Sequence, residues 1–111
     1  MRPLDLETIR FDDRGLVPVI AQDFDTKAVL MLAYATKETL AESRELSRLV
    51  FFSRSRNARW LKGETSGNYL ELIDLIQDCD SDSVLALVKP LGPACHNGTT
   101  TCFEEREDAK P

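Results

Sequence analysis

The sequence predicts an α+β fold of mostly antiparallel strands with one main amphipathic helix. Three observations carry this expectation: six short runs rich in branched apolar residues and bounded by turn residues, one stretch with helical spacing, and connections short enough for antiparallel neighbours. A chain of 111 residues is the commonest size of one domain, and nothing in its composition argues for two cores. The single domain is read as 1–111, with a core of about 11–103 and a polar tail over 104–111.

The runs "LVPVIAQD" (16–23) and "KAVLMLAYA" (27–35) predict strands joined as a hairpin through the turn-prone Asp25 and Thr26. Thr36 is a good N-cap, and "KETLAESRELSRL" after it places Leu40, Arg44 and Leu46 to Leu49 on a helical spacing, predicting a helix that ends near Arg48. The runs at 50–53, 58–62, 69–77 and 83–89 predict further strands, with Leu70, Leu72 and Asp74 on one face and Ile73 and Leu75 on the other. Pro90, Gly92 and Pro93 end the last strand and open an irregular loop that carries Cys95, His96 and Cys102.

Charge narrows the function. A net charge of −5 excludes general nucleic-acid binding, which usually needs a basic surface, so any phosphate recognition is local. The stretch "MRPLDLETIRFDDRG" lacks the apolar region of a secretory signal, and no run reaches the length of a membrane span; a cytoplasmic protein is expected. Three cysteines are an odd number in a reducing compartment, which favours metal binding or catalysis over a disulfide framework. The plain alternative is three buried thiols.

All three cysteines and the single histidine fall in residues 78–102, together with Asp78, Asp80 and Asp82. If 78–82 is extended, the three carboxylates share one side, where they repel unless a hard cation such as Mg²⁺ sits among them. An EF-hand is excluded, since Ser83 stands where its glycine belongs and Lys89 where its glutamate belongs. The other reading of the triplet is a solvated acidic turn. Cys79, Cys95 and Cys102 suit Zn²⁺, and three protein ligands leave a fourth position open, the arrangement in which zinc lowers the pKa of bound water and supplies hydroxide near neutrality. His96 beside Cys95 suits proton transfer; a closed Cys₃His site is the alternative.

Between Arg48 and Lys62 five of the fourteen basic residues occur with no acidic residue among them. Arg54, Arg56, Arg59 and Lys62, with the hydroxyls of Ser53 and Ser55, are suited to phosphate groups, and Trp60 to stacking on a base. "KGETSGN" (62–68) follows, and its glycines let backbone amides approach an anion while Thr65 and Ser66 add hydroxyl donors. A hairpin turn beside a solvated basic face is the bland reading. Taken together, a phosphate-binding stretch, a base stacker, a hard-cation site and a nucleophile-generating zinc predict hydrolysis of a phosphorylated nucleotide.

The motifs "FSRSR", "WLKGETSGN", "DCDSD", "GPACHNG" and "TCF", in this order, resemble those of the phosphoribosyl-AMP cyclohydrolases of histidine biosynthesis, over residues 11–103. Ser81 stands where that family often has glycine, Asn97 where threonine is common, and Asn68 where histidine is frequent. The resemblance implies hydrolysis of the N1–C6 bond of the adenine ring of 1-(5-phosphoribosyl)-AMP, with Cys79, Cys95 and Cys102 as zinc ligands and Asp78, Asp80 and Asp82 as magnesium ligands. His96, from its own chemistry beside Cys95, is read as the catalytic proton carrier. The substrate-binding set would be Ser53, Arg54, Ser55, Arg56, Trp60, Lys62, Gly63, Glu64, Thr65, Ser66 and Gly67. It further implies an intertwined homodimer whose zinc site draws cysteines from both subunits, and relatives that carry a second, pyrophosphohydrolase domain. The tail "EEREDAKP" then reads as a terminus or as a linker.

Two rivals differ in class. A zinc nucleotide deaminase would need H-x-E followed by P-C-x-x-C, and neither occurs. A structural zinc module that binds nucleic acid is disfavoured by the net charge.

Overall fold

The residues described by a computed structural model, 1–95 and 98–103, build six strands and one helix. Strand β1 (Val17–Asp23) alternates, with Val17, Val19, Ala21 and Asp23 buried and Pro18, Ile20 and Gln22 half-buried, the period-two signature of a strand with one face on a core. It pairs antiparallel with β2 (Val29–Ala35), placing Val17 opposite Ala35 and Ile20 opposite Leu32. The second strand begins two residues later than the sequence predicts. Asp23 accepts the amide protons of Asp25 and Thr26 on Oδ1 (2.8 and 3.2 Å), and Lys27 adopts φ 68°, so the connection occupies residues that were expected to be extended.

Helix α1 (Lys37–Leu46) starts at the expected cap. Thr36 accepts the amide of Thr39 while the Thr39 hydroxyl accepts the amide of Thr36, a reciprocal capping box. The helix stops at Leu46 rather than near Arg48, because Ser47 turns left-handed (φ 56°). Its buried face is Thr39, Leu40 and Ser43, and Leu46 is exposed.

Strands β3 (Val50–Ser53) and β4 (Ala58–Leu61) form a separate antiparallel hairpin, in which Phe51 opposes Trp60 with ring centroids 5.6 Å apart. Phe51 is fully buried, and its truncation to alanine would cost roughly 3–5 kcal/mol. Strands β5 (Leu70–Gln77) and β6 (Val84–Pro90) pair antiparallel, and β6 runs parallel to β1, giving a four-stranded sheet of order β2-β1-β6-β5. Pro18 is tolerated in the central β1 because the ladder with β6 begins at Val19. The α+β class and the dominance of antiparallel pairing agree with the sequence.

The regular alternation expected along 69–77 fails. A bulge between Leu72 and Asp74 leaves Ile73 about half exposed and reverses the phase, so that Leu70 and Leu75 are both buried despite their odd spacing. The inner face of the sheet packs on α1, the β3–β4 hairpin and the N-terminal residues Leu4 and Ile9. On the outer face Leu32, Ile20, Leu85 and Ile76 stand in register across all four strands. No helix among the described residues is long and apolar enough to cross a membrane.

Candidate active site

The basic stretch folds into one wall of a cleft. Ser53, Arg54, Ser55, Arg56 and Trp60 line a cavity of about 910 Å³ together with Arg14, Tyr34 and Phe52. The connection from β3 to β4 is a tight turn in which Ser53 Oγ accepts the amide of Arg56 (3.3 Å) and Asn57 adopts φ 51°. This turn projects both guanidinium groups outward. Arg54 lies over the ring of Tyr34 at 3.9 Å, a cation–π contact that fixes its direction. Arg59, offered by the sequence as a further phosphate donor, is instead committed to Glu42 of α1 through two hydrogen bonds of 2.7 and 2.6 Å. That pairing holds the Glu42 carboxyl below its usual range.

A second cavity of about 280 Å³ adjoins the first, and Trp60 lines both. Its walls include Lys62, Gly63, Glu64, Thr65, Ser66, Asn68 and Cys95, while Gly67 serves the turn at φ 80°. Gly63 is required by close backbone approach: at φ 90° a Cβ there would meet the backbone of Asn68 and Tyr69 at 2.5 Å. Lys62 is buried, and its Nζ donates to the carbonyl of Ala94 at 2.5 Å. It is thus held against the segment that precedes Cys95 instead of reaching freely for a phosphate.

Cys95 and Cys102 come together in the loop after β6. The amide of Cys95 donates to Thr99 O (3.2 Å), the amide of Cys102 to Leu30 O (2.7 Å), and the Thr101 hydroxyl reaches Val29 O (2.6 Å), so the loop is pinned to β2. Burial, followed by hydrogen bonding to Cys95, pushes the Cys102 thiol above its ordinary pKa. His96 and Asn97 lie outside the described residues.

The remaining predicted ligands sit elsewhere. Cys79, Asp78, Asp80 and Asp82 occupy the turn between β5 and β6, while Cys95 follows the other end of β6. A strand of seven residues spans about 20 Å, so the three thiols do not converge within one chain. Nor is 78–82 extended, as expected from the sequence. Asp78 Oδ1 accepts the amides of Asp82 (2.9 Å) and Ser83 (3.2 Å), its Oδ2 accepts the Ser83 hydroxyl (2.6 Å), and Ser81 is left-handed at φ 62°. The segment curls because Asp78 caps it. The curl still gathers the triplet, one carboxylate oxygen from each residue lying within 4.8 Å of the others. The Ser83 hydroxyl, first among its donors, holds Asp78 far below the carboxylate range, and interactions with Asp80 and then Asp78 push Asp82 up. The raised Asp82 reflects the crowding of like carboxylates, which an added cation would relieve.

Arg14 and Tyr34 line the first cavity without having been singled out by the sequence. The signal for Arg14 was its place in "DDRG", where Asp12 accepts the amides of Arg14 and Leu16 (2.8 and 2.9 Å) and fixes the turn. Tyr34 carried none beyond the outward phase of β2.

The chain is similar in sequence to known proteins. The histidine biosynthesis bifunctional protein HisIE of Thermus thermophilus is 54% identical over 100 residues, which are 90% of this chain and 47% of that protein. The phosphoribosyl-AMP cyclohydrolase of Methanospirillum hungatei is 52% identical over 101 residues, 91% of this chain and 77% of that protein. The phosphoribosyl-AMP cyclohydrolase of Roseobacter denitrificans is 50% identical over 99 residues, 89% of this chain and 77% of that protein. The chain therefore spans about half the length of the bifunctional relative and about three quarters of the other two. The family model described as phosphoribosyl-AMP cyclohydrolase matches residues 31–104. By these likenesses, the chain belongs to the phosphoribosyl-AMP cyclohydrolase family.

Proposed function

We propose that this chain, as one cyclohydrolase domain, opens the adenine ring of 1-(5-phosphoribosyl)-AMP by hydrolysis of the N1–C6 bond, a step of histidine biosynthesis in the cytoplasm. The reading rests on Trp60, whose ring borders an arginine-lined cavity on one side and the Cys95 wall on the other. A nucleotide base on Trp60 would lay its phosphate towards Arg14, Arg54 and Arg56 and its reacting carbon towards the thiols.

Soft sulfur donors suit Zn²⁺ and the clustered carboxylates suit Mg²⁺. Cys95 and Cys102 would supply two zinc ligands from one subunit and Cys79 the third from its partner in an intertwined homodimer. Two observations support that assembly: the separation of Cys79 from the other thiols by the length of β6, and the apolar row Leu32, Ile20, Leu85 and Ile76 on the outer face of the sheet. Asp78, Asp80 and Asp82 would hold Mg²⁺. Bound zinc supplies a water molecule made nucleophilic near neutral pH.

The remaining work falls to side chains. Substitution at N1 makes the ring cationic and C6 electrophilic, so hydrolysis needs the ring held still and a proton removed from water. Trp60 orients the ring. Arg14, Arg54 and Arg56, with the hydroxyls of Ser53 and Ser55, hold phosphate oxygens, and the 62–67 loop closes the second cavity with Thr65 and Ser66. Lys62 steadies the Cys95 segment through Ala94 O. His96 takes the proton from the attacking water and returns one to N1 as the C6–N1 bond parts.

Ring opening of phosphoribosyl-AMP, followed by its absorbance change and with ammonia assayed in parallel, tests this reading. Expected are ring opening without ammonia, and metal analysis showing one zinc per subunit. Ammonia release would show a deaminase, and an active preparation free of transition metal would refute the zinc assignment.

A further inference from the structure

The 78–83 turn is tied to the first ten residues of the chain by a set of hydrogen bonds that no catalytic role explains. Gln77 is 4% exposed, and its Oε1 accepts the amide of Asp5 (2.9 Å) while its Nε2 donates to the hydroxyls of Ser81 (2.9 Å) and Thr8 (3.3 Å). Its own amide donates to Arg2 O (3.0 Å). Arg2 Nη1 donates to Ser81 Oγ (3.2 Å) and Cys79 O (3.5 Å), and the amide of Arg10 donates to Ser81 O (2.6 Å). The N-terminal segment is itself anchored, with Leu4 and Ile9 in the core and the Leu4 amide bonded to Leu75 O (2.9 Å).

Three of these contacts, from Gln77, Arg2 and Arg10, end on Ser81 itself. Ser81 is the residue at φ 62°, a conformation that costs a non-glycine residue about 1 kcal/mol or more. It stands between Asp80 and Asp82, so its backbone sets how their carboxylates face Asp78. A strained residue persists where its surroundings over-determine it, and here those surroundings are residues 2–10 and Gln77.

We propose that residues 2–10 form a strap that, through Gln77, holds the 78–83 turn in the shape that gathers its three carboxylates and presents Cys79, making Gln77 a positioning residue for cation binding. This rests on the reading of the triplet as a divalent-cation site. Gln77 touches neither cation nor substrate; it acts by keeping the Ser81 hydroxyl, and with it the turn, in place.

The test uses Mn²⁺ as a probe, with free ion counted by electron paramagnetic resonance, and hydrogen exchange of the Asp82 and Ser83 amides in metal-free protein. Gln77→Met should weaken Mn²⁺ binding about tenfold, the scale of a lost outer contact to a metal ligand, and should speed exchange at both amides. Ser43→Ala, which removes a buried hydroxyl bonded to the Thr39 carbonyl and the Val50 amide, should lower stability and leave both readouts unchanged. If Gln77→Met does not fold, Arg2→Met decides on the same two measurements. Native-like Mn²⁺ affinity and exchange in the folded variant overturn the strap. An unmodified protein that binds no Mn²⁺ overturns instead the cation reading beneath it.

Discussion

The guanidinium of Arg59 grips the carboxylate of Glu42 through two hydrogen bonds of 2.7 and 2.6 Å, tying β4 to helix α1. The pair is partly exposed, so Glu42→Gln should lower stability by only about 0.5–1 kcal/mol, less at high salt. The pairing depresses the Glu42 pKa. Its contribution is therefore complete above the ordinary glutamate value near 4.3 and disappears as pH falls through the depressed one. Urea denaturation of both proteins at pH 7 and at successively lower pH should show the two curves converging in acid.

Gly63→Ala should disable the 62–67 loop, since the new Cβ would press on backbone atoms of Asn68 and Tyr69 at 2.5 Å while φ is 90°. A loss of roughly 2–4 kcal/mol is expected from clash and strain together. Gly67→Ala, at φ 80° with no heavy atom within 4 Å of its Cβ, should cost only about 1 kcal/mol. Thermal melts of the two variants check the contrast.

Arg14→Ala and Arg54→Ala should each raise KM for the phosphorylated substrate about tenfold or more, the scale of a charge-assisted hydrogen bond, with a smaller change in kcat. Arg59→Ala should leave KM nearly unaltered. Steady-state kinetics would separate the cavity-lining guanidinium groups from the one paired to Glu42.

Cys79→Ser and Cys102→Ser should each abolish turnover, yet mixing the two inactive proteins under subunit exchange should recover about a quarter of native activity. In a symmetric dimer with shared sites, half the exchanged dimers are mixed and each mixed dimer keeps one intact site. No recovery on verified exchange would overturn the zinc site shared between subunits.

Much of this architecture was readable in advance because the determinants are local. Thr36 and Thr39 announce the helix start, and Val17, Val19 and Ala21 announce the inward face of β1. What escaped reading depends on contacts between distant segments. The bulge at Ile73 is a property of how β5 meets β6, the left-handed Ser47 shortens a helix whose apolar spacing runs on, and Asp78 curls a segment that alternation alone would extend. Within the candidate site, Ser53, Arg54, Ser55, Arg56 and Trp60 share a cavity as their clustering implied. Arg59 looked equivalent to its neighbours only because its partner Glu42 lies on another element.

The parallel ladder of β1 with β6 sets Val19 beside Val84, residues from opposite ends of the sequence. Closing so large a loop is entropically slow, and Cys102, whose amide bonds Leu30 of β2, gains that neighbour only once β6 lies against the β1–β2 hairpin. On the proposed zinc reading the sulfur atoms are in place only after this closure, so refolding should proceed at the same rate with or without added zinc.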